Sequence, residues 1–563
     1  MGKTLFWYIF RDLLKVFLLA SGGIAGIMSF GALLRPLTQR GLDGWQVAQM
    51  LGYFLPAMTN YSWPVAALFA TTFVYGRLAA DNELTACRAA GISYGKLMMP
   101  GVVLGVTVCM LSLIFGWYVV PGSFLRAERV IYSNFARIVA NEIERTQRIS
   151  FDSGGNKLTV FANRAVVVQE QVGDKVEQSV QLENAAIVTY LKSSDPNAPS
   201  VPDEFYLARI ATAVITMPNE KNGEVQLMAR LTDGAKVPRP RDDREKAPIQ
   251  AQIRTAQFGP YPLPSPVRET ARFMDGERLL EIRAMPEKAQ RVARNVNELV
   301  RADQQRAFFE ELKAELTDSD RTVTLNGRAD SFTITSGSKE PRMRSDRLEI
   351  TAGDADSPGV SFKQTRGLAP IEGLARQITV RVFPDSAAKR LTLEFDFQDA
   401  FIWVGGQRTE RQNLARTIEL DMSKEIDELA LTRATEYLQA DWVREKSKAR
   451  LLGDLTRTQN QVEAEMWGRF SFALSCLVLV LVGATIGMMF KSGNFVSAFA
   501  VSTIPAIVAI MLIMTGQHVA ESVPREISGA FHNPLNMGLT LLGSGNVAVL
   551  VTGFVIFLKL RRT

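Results

Sequence analysis

Six stretches of the chain are apolar over about the 20 residues that a helix needs to cross a bilayer core. They are 16–34, 50–75, 97–120, 470–490, 496–515 and 541–558, three near each end of the sequence. The second carries Pro56, Pro64 and the polar Asn60. Such breakers are tolerated in a membrane where neighbouring helices satisfy the freed backbone groups, so a kinked span is expected there. Between the two groups the period changes. In the run 390–397 the apolar side chains are Leu391, Leu393, Phe395 and Phe397, and 377–382 repeats the alternation. Looser versions run over 158–168, 180–191, 205–217, 321–335 and 345–351. Period two marks antiparallel strands with one buried face, and many short strands with polar turns suggest a sandwich or jelly roll.

The fold class expected is therefore α-helical membrane protein, six transmembrane helices arranged 3+3, with an inserted extracytoplasmic β-jelly-roll-like domain. Its divisions are 1–120, holding the first three spans and a short connection at 76–96, then 121–466, then 467–563. Two irregularities interrupt the β pattern. Residues 238–266 hold Pro238, Pro240, Pro248, Pro260, Pro262, Pro264 and Pro266, too many for regular structure. A helical stretch over 277–316 follows, in which Pro286 must break the helix or open its second part. Together they read as an insertion at about 238–320. After the last strand, 423–466 returns as helix into the fourth span.

Charge sharpens this picture. The two membrane parts hold 14 Lys/Arg and 6 Asp/Glu, the middle 50 and 52. The basic balance belongs to the membrane segments and is no nucleic-acid signal. With the N-terminus inside, ten basic residues flank the inner ends of the spans and four the outer ends. The positive-inside rule then puts both termini in the cytoplasm and 121–466 outside, on the extracytoplasmic face. The first apolar run continues to Leu34, longer than a signal-peptide core, so its retention is expected. The middle domain has neither cysteine nor histidine, which excludes disulfides, zinc clusters and histidine catalysis there. His518 and His532 lie in a polar connection and read as solvated. Gly22 with Gly26, Gly101 with Gly105, and Gly483 with Gly487 each make a G-x-x-x-G spacing, which permits close helix contact. No cofactor and no metal are implied.

The connection from Gly76 to Ser93 reads GRLAADNELTACRAAGIS. Asp81 is placed to cap a short helix whose first turn holds Glu83, with Gly91 closing it. This stretch resembles the lipopolysaccharide-export permease family (YjgP/YjgQ, LptF/LptG), whose loop has the form G-R-L-x-x-D-S-E-[LMI]-T-x-[LM]-x-A-x-G-[IV]-S. Asn82 stands where Ser is usual and Cys87 where Leu or Met is usual. Arg11-Asp12-Leu13-Leu14-Lys15 is similar to the family's entry to its first helix, and 467–487 to its fourth span, with Ala473 and Thr485 where prolines are usual.

The resemblance implies a permease subunit of an ABC transporter that moves lipopolysaccharide, or a related lipid, from the inner membrane to a periplasmic bridge. It implies a second permease of the same family, a cytoplasmic LptB-like ATPase dimer, and an LptC/LptA-like jelly-roll bridge. Glu83, Arg88 and Asp81 would dock the ATPase. Arg35 and Arg40 would meet lipid phosphates, although positive charge snorkelling at a helix end explains them equally well. The chain is not expected to be an enzyme. Gly91-Ile-Ser-Tyr-Gly95-Lys96-Leu97 is one residue short of a P-loop and has Leu where Ser or Thr is needed. Other readings are a permease-like subunit of a lipoprotein-release or mechanotransmission system, or an envelope scaffold.

Overall fold

The computed structural model describes residues 3–40, 44–133, 135–153, 156–172, 175–191, 201–216, 226–238, 251–262, 270–318, 321–327, 330–336, 340–344, 347–352, 359–366, 369–385, 389–404, 407–489, 495–522 and 534–562. By contacts it divides into two units, residues 1–285 with 457–563, and residues 286–456.

The first unit opens with helices α1 (Lys3–Arg40), α2 (Gly44–Ala80), α3 (Glu83–Ala89) and α4 (Tyr94–Ile114). Helical character does not stop at Val120. A π-helical turn over Phe115–Val119 leads into α5 (Val120–Ser133) and then α6 (Phe135–Thr146). Seven strands follow: β1 (Arg148–Ser153), β2 (Asn156–Phe161), β3 (Arg164–Val172), β4 (Lys175–Leu191), β5 (Val201–Thr216), β6 (Gln226–Pro238) and β7 (Ala251–Pro262). They form one antiparallel sheet of order β1-β2-β4-β5-β6-β7, with β3 also on β4. Helix α6 supplies the apolar stripe Ala136, Val139, Ala140 and Ile143, buried with Val160, Val180, Leu182 and Ile187 of the sheet.

Strand β7 corrects the expectation that 238–266 is too proline-rich for regular structure. Its last strand neighbour is β6, so it runs along the sheet's edge. An edge tolerates a missing N–H donor, and the register slips between Leu227 and Ala229, opposite Pro260. A bulge is where an unpaired residue is accommodated. Residues 239–250 and 263–269, with the other prolines Pro240, Pro248, Pro264 and Pro266, lie outside the described residues.

Helix α7 (Gly276–Ala284) closes this half of the unit, capped by the Asp275 carboxylate accepting from the Arg278 N–H. The second unit begins at Pro286, which opens a 3-10 turn before α8 (Gln290–Thr317), so the expected break falls there. Its strands are β8 (Thr322–Asn326), β9 (Asp330–Thr335), β10 (Arg342–Met343), β11 (Leu348–Thr351), β12 (Val360–Arg366), β13 (Ala369–Asp385), β14 (Arg390–Val404) and β15 (Gln407–Asp421). They pair antiparallel in the order β10-β11-β13-β12-β9-β8, with β14 joining β13 to β15. The period-two residues Leu391, Leu393, Phe395 and Phe397 are buried, as the alternation predicts. Phe332 stacks on Phe395 at 4.4 Å between centroids, and Phe362 lies 4.3 Å from Phe397. Helix α8 buries Phe308, Phe309, Leu312 and Leu316 in this same core, so it is a structural helix of the unit.

The return after the last strand is helical, as expected: α9 (Lys424–Glu428), α10 (Ala434–Gln439) and α11 (Glu445–Met489). Ser423 caps α9 by accepting from the Ile426 N–H. The boundary between the units falls within α11. Helices α12 (Phe495–Ala520) and α13 (Pro534–Arg562) complete the first unit.

Among the described residues five helices are long and apolar enough to cross a membrane: Lys3–Gly31, Tyr94–Ala127, Glu445–Met489, Phe499–Ala520 and Pro534–Arg561. Helix α2, the sixth expected span, is not among them. It is continuous through Pro56 and Pro64, and its polar side chains are spent on its neighbours. Ser62 meets Ser21 of α1 at 3.2 Å, Asn60 accepts from Ser112 of α4 at 2.9 Å, and Thr72 meets Ser502 of α12 at 3.3 Å. Interhelical hydrogen bonds of this kind suit a helix enclosed by others. Ala66, Ala67, Leu68 and Ala70 on α2 are fully buried.

Candidate functional site

Two places in the first unit concentrate polar groups. The first is the connection between α2 and α4. Helix α2 runs to Ala80, and the Asp81 N–H still donates to the Arg77 carbonyl at 2.9 Å. Asp81 therefore ends α2 and does not cap α3, contrary to the expectation. The cap position falls to Asn82, at φ 57° with no side-chain cap bond. That left-handed conformation is one Asn adopts more readily than most residues, a local reason for Asn at this position. Gly91 does close α3. At φ +81° it donates to the Arg88 carbonyl at 2.9 Å, while the Ile92 N–H reaches the Cys87 carbonyl at 3.1 Å. These two bonds define a Schellman ending.

One apolar residue fixes α3 to the bundle. Leu84 is buried among Leu78, Leu97 and Leu560. With Leu84 inward, Asp81 is exposed, Glu83 is half-buried, and Arg88 is exposed. Arg88 is not idle: it donates to the Tyr94 hydroxyl at 2.8 Å and lies 4.4 Å from that ring's centroid. Beside the turn, Arg77 of α2 donates to Asp12 of α1 at 2.6 Å, which ties the two helices together.

The second place is a cavity of about 550 Å³ in the opposite half of the bundle. Its walls come from α1, α2, α4, the π-helical turn Phe115–Val119, α5, α11, α12 and the 3-10 turn Ala271–Phe273. Most of the lining is apolar, with Met28, Val65, Phe124 and Met514 among it, and a polar end is formed by Glu465, Arg469, Arg272 and Gln517. Arg469 is 8 % exposed. Its Nε donates to Glu465 at 2.8 Å. Its Nη2 donates to the carbonyls of Met274 at 2.7 Å and Arg272 at 3.2 Å. The remaining nitrogen, Nη1, has no hydrogen-bond partner. A buried charge persists only when it is paired and hydrogen-bonded, and the three groups around it meet most of that requirement. Nearby, at the end of α12, burial and the neighbouring Glu465 push the Glu521 carboxyl above its usual range.

The packing glycines divide into two kinds. A Cβ on Gly101 would meet the Tyr75 ring, on Gly105 Leu477, on Gly483 the Leu68 carbonyl, and on Gly487 the Thr72 carbonyl at 2.8 Å. These four let helices of this chain approach closely. Gly22 and Gly26 have nothing within 4 Å. The side chains of Arg35 and Arg40 lie outside the described residues, although the backbone of both belongs to α1. Among the described residues no cluster of His, Cys, Asp or Glu is arranged to hold a metal ion.

Residues 7–222 match the family model for the lipopolysaccharide export system permease LptF/LptG. Over that stretch the chain is similar to the LptF/LptG family. The match runs from α1 through β5, and so takes in the α3 turn and four of the helices that wall the cavity, α1, α2, α4 and α5. No curated protein matches the chain. The family's description names a component of a transport system, and the five described helices that are long and apolar enough to cross a membrane are compatible with it.

Sequence reasoning found the α3 turn through its motif. Arg469 entered the sequence reading only within 467–487 and among the basic residues at the outer ends of the spans, and Glu465, Arg272 and Gln517 were missed. Glu465 stands four residues before Arg469 on α11, a helical spacing that could have signalled the pair, whereas the 271–274 segment meets Arg469 from up to 198 positions away and no local spacing announces it.

Proposed function

We propose that this chain is one permease subunit of an ATP-driven exporter that takes lipopolysaccharide, or a related lipid, out of the inner membrane. The observation that carries the reading is the family match over residues 7–222, which contains the α3 turn with Glu83 and Arg88. On this reading α2 is the sixth span, both termini are cytoplasmic, and the β sheets lie in the periplasm. A second family subunit completes the membrane part, and a jelly-roll bridge of the LptC/LptA kind receives the lipid.

The chemistry follows from the two places described. A cytoplasmic LptB-like ATPase dimer docks on the α3 turn, whose exposed Asp81 and Arg88 and half-buried Glu83 offer charge at fixed positions. Leu84, buried among residues of α2, α4 and α13, transmits movement of that turn into the bundle. The cavity beyond holds part of the lipid, acyl groups against Met28, Val65 and Phe124, and an anionic group toward Arg469 and Arg272. Arg35 and Arg40, at the same end of α1, supply further phosphate contacts.

Affinity purification of the full chain from its native membrane tests this. A separate ABC ATPase and a phosphorylated glycolipid are expected in the eluate, and Glu83→Ala or Leu84→Ala is expected to lose the ATPase while the chain remains folded. Recovery of the wild-type chain with neither ATPase nor lipid would overturn the proposal.

A further inference from the structure

A second opening lies between α4, α11 and α13, a groove of about 430 Å³. Its walls include Met98 of α4, Leu481 and Thr485 of α11, and Leu550, Phe554 and Phe557 of α13. The Thr485 hydroxyl is turned back onto its own helix, toward the carbonyls of Leu481 at 3.0 Å and Val482 at 2.9 Å. The groove is thus apolar throughout. Gly553 sets how closely α13 approaches α11, since a Cβ there would fall 2.8 Å from Val482 Cγ2. Met98 lies in the first turns of α4 and Phe557 near the end of α13. The groove therefore opens in the half of the bundle that carries the α3 turn, away from the cavity with Arg469.

One end of the groove is basic. On α13 the positions 550, 554, 557 and 561 recur at the three- and four-residue spacings that share a helix face. The stripe of Leu550, Phe554 and Phe557 therefore continues onto Arg561. Arg561 is exposed, and it makes no ion pair among the described residues. Lys559 and, at the start of α4, Lys96 are exposed at the same end.

We propose that this groove binds one acyl chain of an anionic phospholipid whose headgroup is held by Arg561, with Lys559 and Lys96 beside it. Basic residues at a helix end can simply snorkel to the interface. Here, however, the basic position continues the apolar stripe that lines a preformed slot, and a basic rim on such a slot is complementary to an anionic headgroup. The proposal rests on the membrane reading of the helices and not on the cargo or the ATPase.

The test is native mass spectrometry of the full chain released from nanodiscs of equal phosphatidylglycerol and phosphatidylcholine. Retention of one phosphatidylglycerol in preference to phosphatidylcholine is expected. Arg561→Gln is expected to reduce that preference about fivefold, the effect of one basic residue at an anionic surface. Leu550→Trp, which fills the groove, is expected to abolish retention of both lipids. Equal retention of the two lipids by the wild type would overturn the proposal. So would a preference unchanged in both variants, or a dimer of the chain that Leu550→Trp dissolves. Co-purification of an ATPase is expected to be the same in all three proteins, so failure here leaves the transport reading standing.

Discussion

Arg469 sits where a charge is costly, under a tenth exposed in the first turns of an apolar run. Three carbonyls from 271–274 and the Glu465 carboxylate surround it, so it fastens that segment to α11 as well as lining the cavity. Removing one partner of such a buried pair leaves the other charge uncompensated, at a cost of about 3–5 kcal/mol. Glu465→Gln is accordingly expected to lower the melting temperature of the detergent-solubilised chain. The double change Glu465→Leu with Arg469→Leu is expected to do less damage than Arg469's loss of Glu465 alone, because no orphaned charge remains. Arg469→Lys keeps the charge but not the planar fork that reaches several acceptors, and an intermediate melting temperature is expected.

Among the elements, those with strong periodicity were readable in advance. Five apolar helices, strand β14 and the break at Pro286 all follow from local pattern. The elements that escaped lack such a pattern. Strand β15 begins Gln-Arg-Thr-Glu-Arg-Gln-Asn, with no apolar alternation, and forms because β14 offers it a long edge. Strand β7 carries prolines that only an edge position and a bulge can absorb. Helix α8 was legible as a helix, but its place in a core was not, because the sheet that buries Phe309 lies later in the sequence. Truncating Phe309 to Ala is expected to cost about 3–5 kcal/mol, read as faster hydrogen exchange across β8, β9 and β13. The same helix has a pH signature. Burial, then Glu315 and Glu425, raise the Glu311 carboxyl above its usual range. A carboxyl raised on folding favours the folded state below its unfolded pKa, and that contribution disappears as pH rises through the folded value. The second unit is therefore expected to melt higher at mildly acidic than at neutral pH, and Glu311→Gln to flatten the difference.

At the scale of the whole molecule, the sequence resolved the α3 turn and left the cavity hidden. The turn is a contiguous motif of 18 residues. The cavity is assembled from eight elements drawn from both ends of the chain and a stretch beyond β7. The matched family segment holds the turn but ends before the 3-10 turn, α11 and α12, which supply the polar end of the cavity. On the proposed function the two places work as one device, in which an ATPase pushes on α3 and lipid leaves through the far half of the bundle. Its most direct test is lipid extraction from proteoliposomes that contain the purified complex and lipopolysaccharide. ATP is expected to drive release of lipopolysaccharide to a soluble acceptor, and Leu84→Ala is expected to abolish that release. Release that is independent of ATP, or no release from a complex whose ATPase is bound and active, would contradict the account.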